Sequence, residues 1–359
     1  MGAIADRGDA AMERIDGEWN GDESVVGAFL QLAPFIHPMD DAQIRMVSSP
    51  DIRSAGIFLD AIMGVDPDQF LRAPKQFFHY QFGLECLAHL DRAMTLSAAT
   101  DAEAIALGLD PDRLVRTGAV PRPPVLVGGA VGDLGLAFDR WLVVVGSGLV
   151  HKNLPVGVAG ALASAARRRH DMGVVVVADV NPPQVEELQA AARDFGLPPG
   201  RLVVRTLVDD AELDALVRGA EVVVVPSRHE GYSLPVVEAL ERDVPVVVSD
   251  IAAHREFFGN GPWMFDVDDP EAVVAAIRWV ERTGRDRALA RQRRALAQRS
   301  DPDHFDRTIR STTSWLCEGL AARGSRADVP WAALAEGSSA IGTAVVERNV
   351  GIDRPLSLS

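Results

Sequence analysis

Apolar positions along this chain gather into short uninterrupted runs, separated by longer stretches in which apolar and polar residues alternate with helical spacing. The runs 174–177 and 222–225 each read VVVV, and 246–248 reads VVV. Continuous β-branched runs of this length predict strands covered on both faces, as in a parallel sheet packed between helices. Six strands are predicted in the second half: Trp141–Val145, Val174–Ala178, Leu202–Val204, Val222–Val225, Val244–Val248 and Trp263–Phe265. Helical stretches at Leu154–Arg169, Pro183–Phe195, Ala211–Val217, Pro235–Glu241 and Ala252–Phe258 lie between most of them. Asn181 followed by Pro182 and Pro183 is a helix start of cap plus proline. Strand and helix in alternation predict a doubly wound, Rossmann-like α/β domain. Helices at Pro270–Glu281, Arg285–Gln298 and Asp303–Ala322 close it.

The first third is less regular. A helix is expected at Glu23–Ala33, stopped by Pro34. Buried strands are expected at Ile44–Ser48, Ala55–Leu59, Ala93–Ser97 and Leu114–Val120, with helices at Gln76–Arg92 and Thr100–Leu107. A second parallel sheet of about four strands follows from this alternation. The Pro- and Gly-rich segment 121–139 reads as a linker. The expected organisation is a disordered segment 1–23, a short lobe 24–120, the linker 121–139, a larger lobe 140–300, a helix in 301–325 and a weakly structured tail 326–359.

Composition narrows the partners. The 359 residues carry 36 Lys plus Arg against 51 Asp plus Glu, a net charge of −15. That balance argues against duplex nucleic acid, which calls for clustered basic residues. No apolar run reaches the roughly 18 residues of a membrane span, and the N-terminus has no apolar signal core, so a cytoplasmic protein is expected. Two cysteines, Cys86 and Cys317, are too few for a disulfide framework and are expected to be reduced.

The chemistry concentrates in Val222–Asp250, VVVVPSRHEGYSLPVVEALERDVPVVVSD. A buried strand ends at Pro226, and a helix starts near Leu234 or Pro235. In an open α/β sheet, ligands bind beyond the carboxyl ends of the strands. The amides of Gly231, Tyr232, Ser233 and Leu234 would meet an anion there, most naturally a diphosphate, at the positive end of the helix dipole. Glu230 lies in the loop, and Glu238 is expected in the first helical turn. Two carboxylates flanking a phosphate suit a nucleotide sugar, where each holds sugar hydroxyls. Their alternative role is stabilisation of the helix dipole alone. After the first strand of this lobe, Gly146–Asn153 reads GSGLVHKN, and Lys152 there can neutralise a diphosphate. The alternative is a flexible glycine loop with a solvated lysine. The spacing is not that of a Walker loop. No G-x-G-x-x-G follows the first strand of either lobe, which argues against a dinucleotide-dependent oxidoreductase. Asp266 and Asp268 spell D-x-D but precede Asp269-Pro270, a helix start, and read as a capping loop rather than a metal site. His229 and His254 lie near the same site, whereas His79 and His89 fall on an aromatic helix.

The segment PSRHEGYSLPVVEAL…PVVVSD resembles the donor-site signature of glycosyltransferase family 4, PS-x-x-EG-[FY]-G-LP-x-x-EA followed by PV-x-x-S. VGSGLVHKNLP, TLVDDAELDAL (Thr206–Leu216), TLSAATDAEAIALGLDPDRLVRTGAV (Thr95–Val120) and FLDAIM (Phe58–Met63) resemble further elements of that family. The resemblance implies a GT-B fold of two Rossmann-like lobes with parallel sheets, the first shortened. It implies retaining transfer of a sugar from a nucleoside diphosphate sugar to an unknown acceptor, in the interlobe cleft, with neither metal nor cofactor. By residue match, Lys152 binds the diphosphate, Glu230 the transferred sugar, Glu238 the ribose, and the amides of Tyr232–Leu234 the phosphates. Asp60 falls at the position facing the transferred sugar. Gly146, Ser147, Asn153, Val208, His229 and Gly231 complete the implied donor site, with the backbone near Val208 beside the base.

Several positions depart from the family pattern. Ser147 stands where an arginine is frequent, leaving one fixed positive charge where many members have two. Leu59 replaces a His or Tyr before Asp60. Ser233 and Asp243 replace glycines, though aspartate tolerates the left-handed conformation. No strand is expected before Ile44, where members begin with strand, Gly-rich loop and helix. A second copy or a partner chain completing the short lobe is one consequence. The alternative function is a non-catalytic or weakly active relative that binds a nucleotide sugar or supports a partner transferase.

Overall fold

A computed structural model describes residues 28–31, 41–49, 52–65, 67–118, 134–168, 172–301 and 303–317. The segments 1–23 and 326–359, and most of 121–139, lie outside them. The chain divides into two compact units: residues up to Thr117 together with those from Phe305, and Gly118–His304.

The first unit contains β1 (Ala28–Gln31), α1 (Asp41–Ser48), β2 (Arg53–Phe58), α2 (Ile62–Val65), α3 (Pro67–Phe70), α4 (Pro74–His89), β3 (Arg92–Thr95), α5 (Ala98–Ala106) and β4 (Leu114–Arg116). Its sheet is parallel in the order β1-β2-β3-β4. Two expectations are corrected here. Part of the helix expected at Glu23–Ala33 is the strand β1, which pairs in parallel with β2 from Ala28 opposite Arg53 to Gln31 opposite Gly56. A strand therefore does precede Ile44. Conversely, Ile44–Ser48 belongs to the helix α1. Short apolar runs do not distinguish strand from helix by periodicity, and pairing decides: β1 finds an edge of β2, while α1 puts Val47 into the core with Leu84 and Leu87. Ser97 caps α5, its hydroxyl accepting from the Thr100 amide at 3.0 Å. The Cys86 thiol is buried, and burial pushes its pKa up to about 12.

The last helix among the described residues, α13 (His304–Cys317), brings Trp315 to this unit. The Arg53 guanidinium donates to the Trp315 carbonyl, and Arg92 stacks over the Trp315 ring at 4.0 Å from its centroid.

The second unit contains β5 (Trp141–Ser147), α6 (Leu154–Ala166), β6 (Gly173–Asp179), α7 (Pro182–Asp194), β7 (Leu202–Arg205), α8 (Asp210–Arg218), β8 (Val222–Val225), α9 (Leu234–Glu241), β9 (Val246–Ser249), α10 (Ala252–Phe258), β10 (Met264–Phe265), α11 (Pro270–Thr283) and α12 (Arg285–Ala297). All six strands are parallel, in the order β10-β9-β8-β5-β6-β7. Leu142, Val144, Val174, Val176, Val222, Val224 and Val247 are at most 1% exposed and share one core with α6 and α11. Phe138, inside the segment read as a linker, is buried against Trp141 at 6.5 Å between ring centroids. The direction of the strand order reverses between β5 and β8. From β5 the chain builds outward through β6 and β7, and from β8 it builds the opposite way through β9 and β10. The loops leaving β5 and β8 therefore diverge and leave a crevice between them at the carboxyl edge.

One buried ionic cluster ties α8 to the end of α9. Asp214 accepts from Arg218 at 2.6 Å and from Arg242 at 2.9 Å, and the Asp214 and Arg242 side chains are 4% and 6% exposed. Burial pushes the Asp214 carboxyl up, but the two guanidinium hydrogen bonds outweigh it and hold it below the usual carboxylate range. Removing one partner leaves the other charge buried. Asp214→Ala should lower unfolding free energy by about 3–5 kcal/mol. Arg167→Ala, which breaks the exposed pair with Glu271, should cost at most about 1 kcal/mol. Urea unfolding of both variants checks the contrast, and equal losses would contradict it.

Candidate functional site

Three loops meet at the crevice between β5 and β8, and their backbones are stitched together. After β5 the chain makes a 3-10 turn, Val150–Lys152, and then Asn153 in the left-handed conformation (φ 51°, ψ 36°) before α6 begins. Asparagine is one of the few side-chain-bearing residues that adopt this conformation readily. The Asn153 amide group donates to the Pro226 carbonyl at 3.1 Å and to the Val267 carbonyl at 2.7 Å, joining the loops after β5, β8 and β10. The Arg228 amide donates to the His151 carbonyl at 2.7 Å, a second tie between the first two loops. The Arg228 guanidinium pairs with Asp268 at 2.5 Å, tying the loops after β8 and β10 again. Gly148 is clamped from α7: its carbonyl accepts from Gln184 Nε2 at 2.9 Å. A Cβ on Gly148 would lie 2.3 Å from Gln184 Oε1, so any larger residue would displace the Gln184 side chain.

Within this frame Lys152 and Glu230 meet. Lys152 Nζ donates to Glu230 Oε1 at 2.8 Å, and the Ser227 hydroxyl donates to the same oxygen at 2.6 Å. The two side chains are 24% and 10% exposed. Ser227 is in turn held by β9, because the Ser249 hydroxyl donates to the Ser227 carbonyl. Glu230 Oε2 takes no hydrogen bond from the described residues. Any anion approaching Lys152 would compete with Glu230 for it.

Beside the pair, α9 begins with Leu234 at its first position and Pro235 at its second. Ser233 occupies the cap position in the left-handed region (φ 87°, ψ 68°), so its side chain does not cap the helix. Among the described residues, the amides of Gly231, Tyr232, Ser233 and Leu234 donate to no backbone acceptor. The Tyr232 ring turns inward, edge-on to Phe257 at 4.3 Å, and burial pushes its hydroxyl up to about 12, which leaves its backbone for a ligand. Asp243 adopts the left-handed conformation, φ 60°, in the turn that follows α9. One placement is corrected: Glu238 is the fifth residue of α9, beyond its first turn. Leu234 already opens the helix, so Glu238 is carried past the dipole end and half-buried.

The other expected residues are more dispersed. Gly146 and Ser147 end β5, and the Ser147 hydroxyl accepts from the Leu149 amide at 3.5 Å. Val208 is half-buried in the loop after β7, the far edge strand, next to Leu207, which is 89% exposed. His229 is half-buried directly before Glu230. Asp60 belongs to the first unit, just after β2, where its carboxylate accepts from the Ile62 amide at 3.0 Å. The Asp266–Asp269 run is occupied in holding its own loop: Asp266 accepts from the Asp268 amide at 2.9 Å, and Asp269 caps α11. No cluster of potential metal ligands occurs among the described residues. No helix among them is long and apolar enough to cross a membrane.

Ser227, Ser249, Gln184 and Arg228 were not candidates from sequence. Ser227 and Ser249 do stand inside the motif, as the serines of PS and PV-x-x-S.

The chain is similar to known proteins in both sequence and fold. Residues 138–298 match the family model described as Glycosyl transferases group 1. The serotype-specific mannosyltransferase WbdA of Escherichia coli is 29% identical over 136 residues, covering 38% of this chain and 16% of WbdA. The O-antigen chain mannosyltransferase RfbU of Salmonella typhimurium is 32% identical over 107 residues, 30% of this chain and 29% of RfbU. The matched stretch thus spans less than a third of either relative. Among solved structures, the sucrose-phosphate synthase of Thermosynechococcus elongatus superposes with a TM-score of 0.59 at 16% identity, over 80% of this chain and 73% of that one. Anabaena Alr3699/HepE, solved in complex with UDP, gives 0.57 at 16% identity, over 74% and 72%. The fold is that of the GT-B glycosyltransferases.

His254, in α10, is fully buried behind the site. Burial lowers its pKa below the ordinary 6.5, a shift opposed by its hydrogen bond to Ser249 and the nearby Glu230 and reinforced by Lys152, with Asp250 opposing it too. An unfolded chain takes up a proton near pH 6.5 that the folded chain refuses. The stability this group contributes is therefore complete above that pH and declines as pH falls below it. Melting temperature should drop between pH 7.5 and 5.5, with a smaller drop in His254→Asn. An identical drop in both would contradict the assignment.

Proposed function

We propose that the chain is a glycosyltransferase that moves a sugar from a nucleoside diphosphate sugar to an acceptor hydroxyl, with retention at the anomeric carbon and without a metal. The observation that carries this reading is the meeting of Lys152 and Glu230 beside four uncommitted amides at the point where the strand order reverses. The amides of residues 231–234 and the start of α9 receive the diphosphate. Lys152 leaves Glu230 for the phosphate and stabilises the charge that develops as the sugar–phosphate bond breaks. Glu230, still held by Ser227, takes the sugar hydroxyls, and Glu238 takes the ribose. The acceptor oxygen forms its bond to the anomeric carbon on the face the phosphate leaves, and the acceptor proton passes to the departing phosphate oxygen. Mannose is the first sugar to test, because WbdA and RfbU are named as mannosyltransferases.

Lys152, neutralised in the resting chain by Glu230 and without a second cation at Ser147, favours a second reading: a relative that binds a nucleotide sugar without turning it over. A panel of UDP, GDP, TDP and ADP sugars separates the two. A bound sugar at about 100 times its Kd should stabilise the chain by about 2.7 kcal/mol, seen as a raised melting temperature. Turnover should fall about 100- to 1,000-fold in Lys152→Ala and in Glu230→Ala. The product anomer should match the donor by NMR, and a chelator should leave the rate unchanged. Binding without turnover across the panel supports the second reading, and no binding at all overturns both.

A further inference from the structure

The ring of His254 is 0% exposed, and nothing in the proposed transfer uses it directly. Its Nδ1 lies 2.7 Å from the Ser249 carbonyl oxygen and 3.3 Å from the Ser249 hydroxyl oxygen. A carbonyl only accepts, and the Ser249 hydroxyl gives its one hydrogen to the Ser227 carbonyl. Nδ1 therefore carries the ring proton. Nε2 is left as a bare acceptor, buried and without a hydrogen bond among the described residues. A leucine would fill such a place without burying an unsatisfied nitrogen, so what distinguishes histidine here is the Nδ1 donor.

That donor begins a continuous path. Nδ1–H holds the Ser249 carbonyl at the end of β9, the Ser249 hydroxyl holds the Ser227 carbonyl after β8, and the Ser227 hydroxyl holds Glu230 Oε1 at 2.6 Å. Glu230 Oε1 also receives Lys152. Three loops at the carboxyl edge are thereby fixed against one another at the carboxylate. We infer that His254 is a positioning residue, acting through Ser249 and Ser227 to fix Glu230 in the pose that grips the transferred sugar, while the diphosphate is held by Lys152 and the amides of residues 231–234, outside this chain of bonds. The inference rests on the proposed transfer, and it separates two parts of donor recognition that the transfer alone leaves joined.

The test compares His254→Asn, which keeps an N–H donor near the Nδ1 position, with His254→Leu, which removes it, and His254→Gln, which moves it outward. Sugar transfer from the donor found active is measured, along with inhibition by the matching nucleoside diphosphate. His254→Asn should keep kcat within about 3-fold, while His254→Leu and His254→Gln should lose about 10- to 100-fold, the scale of a displaced reacting group. The inhibition constant of the nucleoside diphosphate should not weaken in any of the three, because loosening Glu230 only frees Lys152 for the phosphates. In a Glu230→Gln background, His254→Leu should add little further loss, because the group it positions is already altered. Should His254→Leu fail to fold, Ser249→Ala and Ser227→Ala carry the same comparison. Equal losses in the Asn and Leu variants, weaker nucleoside diphosphate binding in proportion to kcat, or additive losses with Glu230→Gln would overturn the inference. A second readout needs no activity: 15N NMR of the histidine rings in the full chain should show His254 as the neutral Nδ1–H form at pH 7. An Nε2–H or cationic ring overturns the relay. A wild-type chain that turns over no activated sugar overturns the proposed transfer instead, and the ring spectrum then decides the relay by itself.

Discussion

One carboxylate oxygen, Glu230 Oε1, organises the candidate site. It accepts from Lys152 on the loop after β5 and from Ser227 on the loop after β8, across the crevice where the strand order reverses. An ion pair this sheltered is held only if its partners are fixed, because desolvation costs both charges. The fixing is visible in the surroundings. Asn153 binds two carbonyls from two other loops, Arg228 binds the His151 carbonyl, and Ser249 binds the Ser227 carbonyl. The sheet supplies the place, and these ties keep the diverging loops from relaxing apart.

In the proposed transfer, opposite charges serve one ligand. A nucleoside diphosphate sugar carries anionic and hydroxyl-rich parts side by side. Lys152 and the amides of residues 231–234 suit the first, and Glu230 suits the second. In the ligand-free chain the cation and the carboxylate satisfy each other, so neither stays buried and unpaired. The left-handed backbone at Ser233 is the local exception to good geometry, and it falls at the mouth of α9, where the chain turns from loop into helix.

Much of the second unit was legible in the sequence because its strands are unbroken valine runs. VVVV at 174–177 and 222–225 reads as a fully covered strand because every residue in it is β-branched. The motif residues from Pro226 to Leu234 likewise place Glu230 in the loop and the helix start at Leu234. Short mixed runs were not legible. AFLQ at 28–31 and DAQIRMVS at 41–48 carry too few turns to reveal their period, and only their neighbours decide that one pairs with β2 and the other lies on α4. Glu238 falls one residue beyond the first turn expected for it, because α9 opens at Leu234, the earlier of the two starts the motif offers. The ties made by Ser227, Gln184 and Arg228 depend on loops brought together only by the sheet, so no local pattern announces them.

In the proposed transfer Lys152 changes partners while Glu230 stays in place. A crystal structure of the chain with a non-hydrolysable nucleoside diphosphate sugar measures this directly. The expected result has Lys152 Nζ on the diphosphate, the amides of residues 231–234 on phosphate oxygens, and Glu230 still bound by Ser227 with a sugar hydroxyl on its carboxylate. A ligand seated elsewhere on the sheet edge, with the Lys152–Glu230 pair intact, would contradict it.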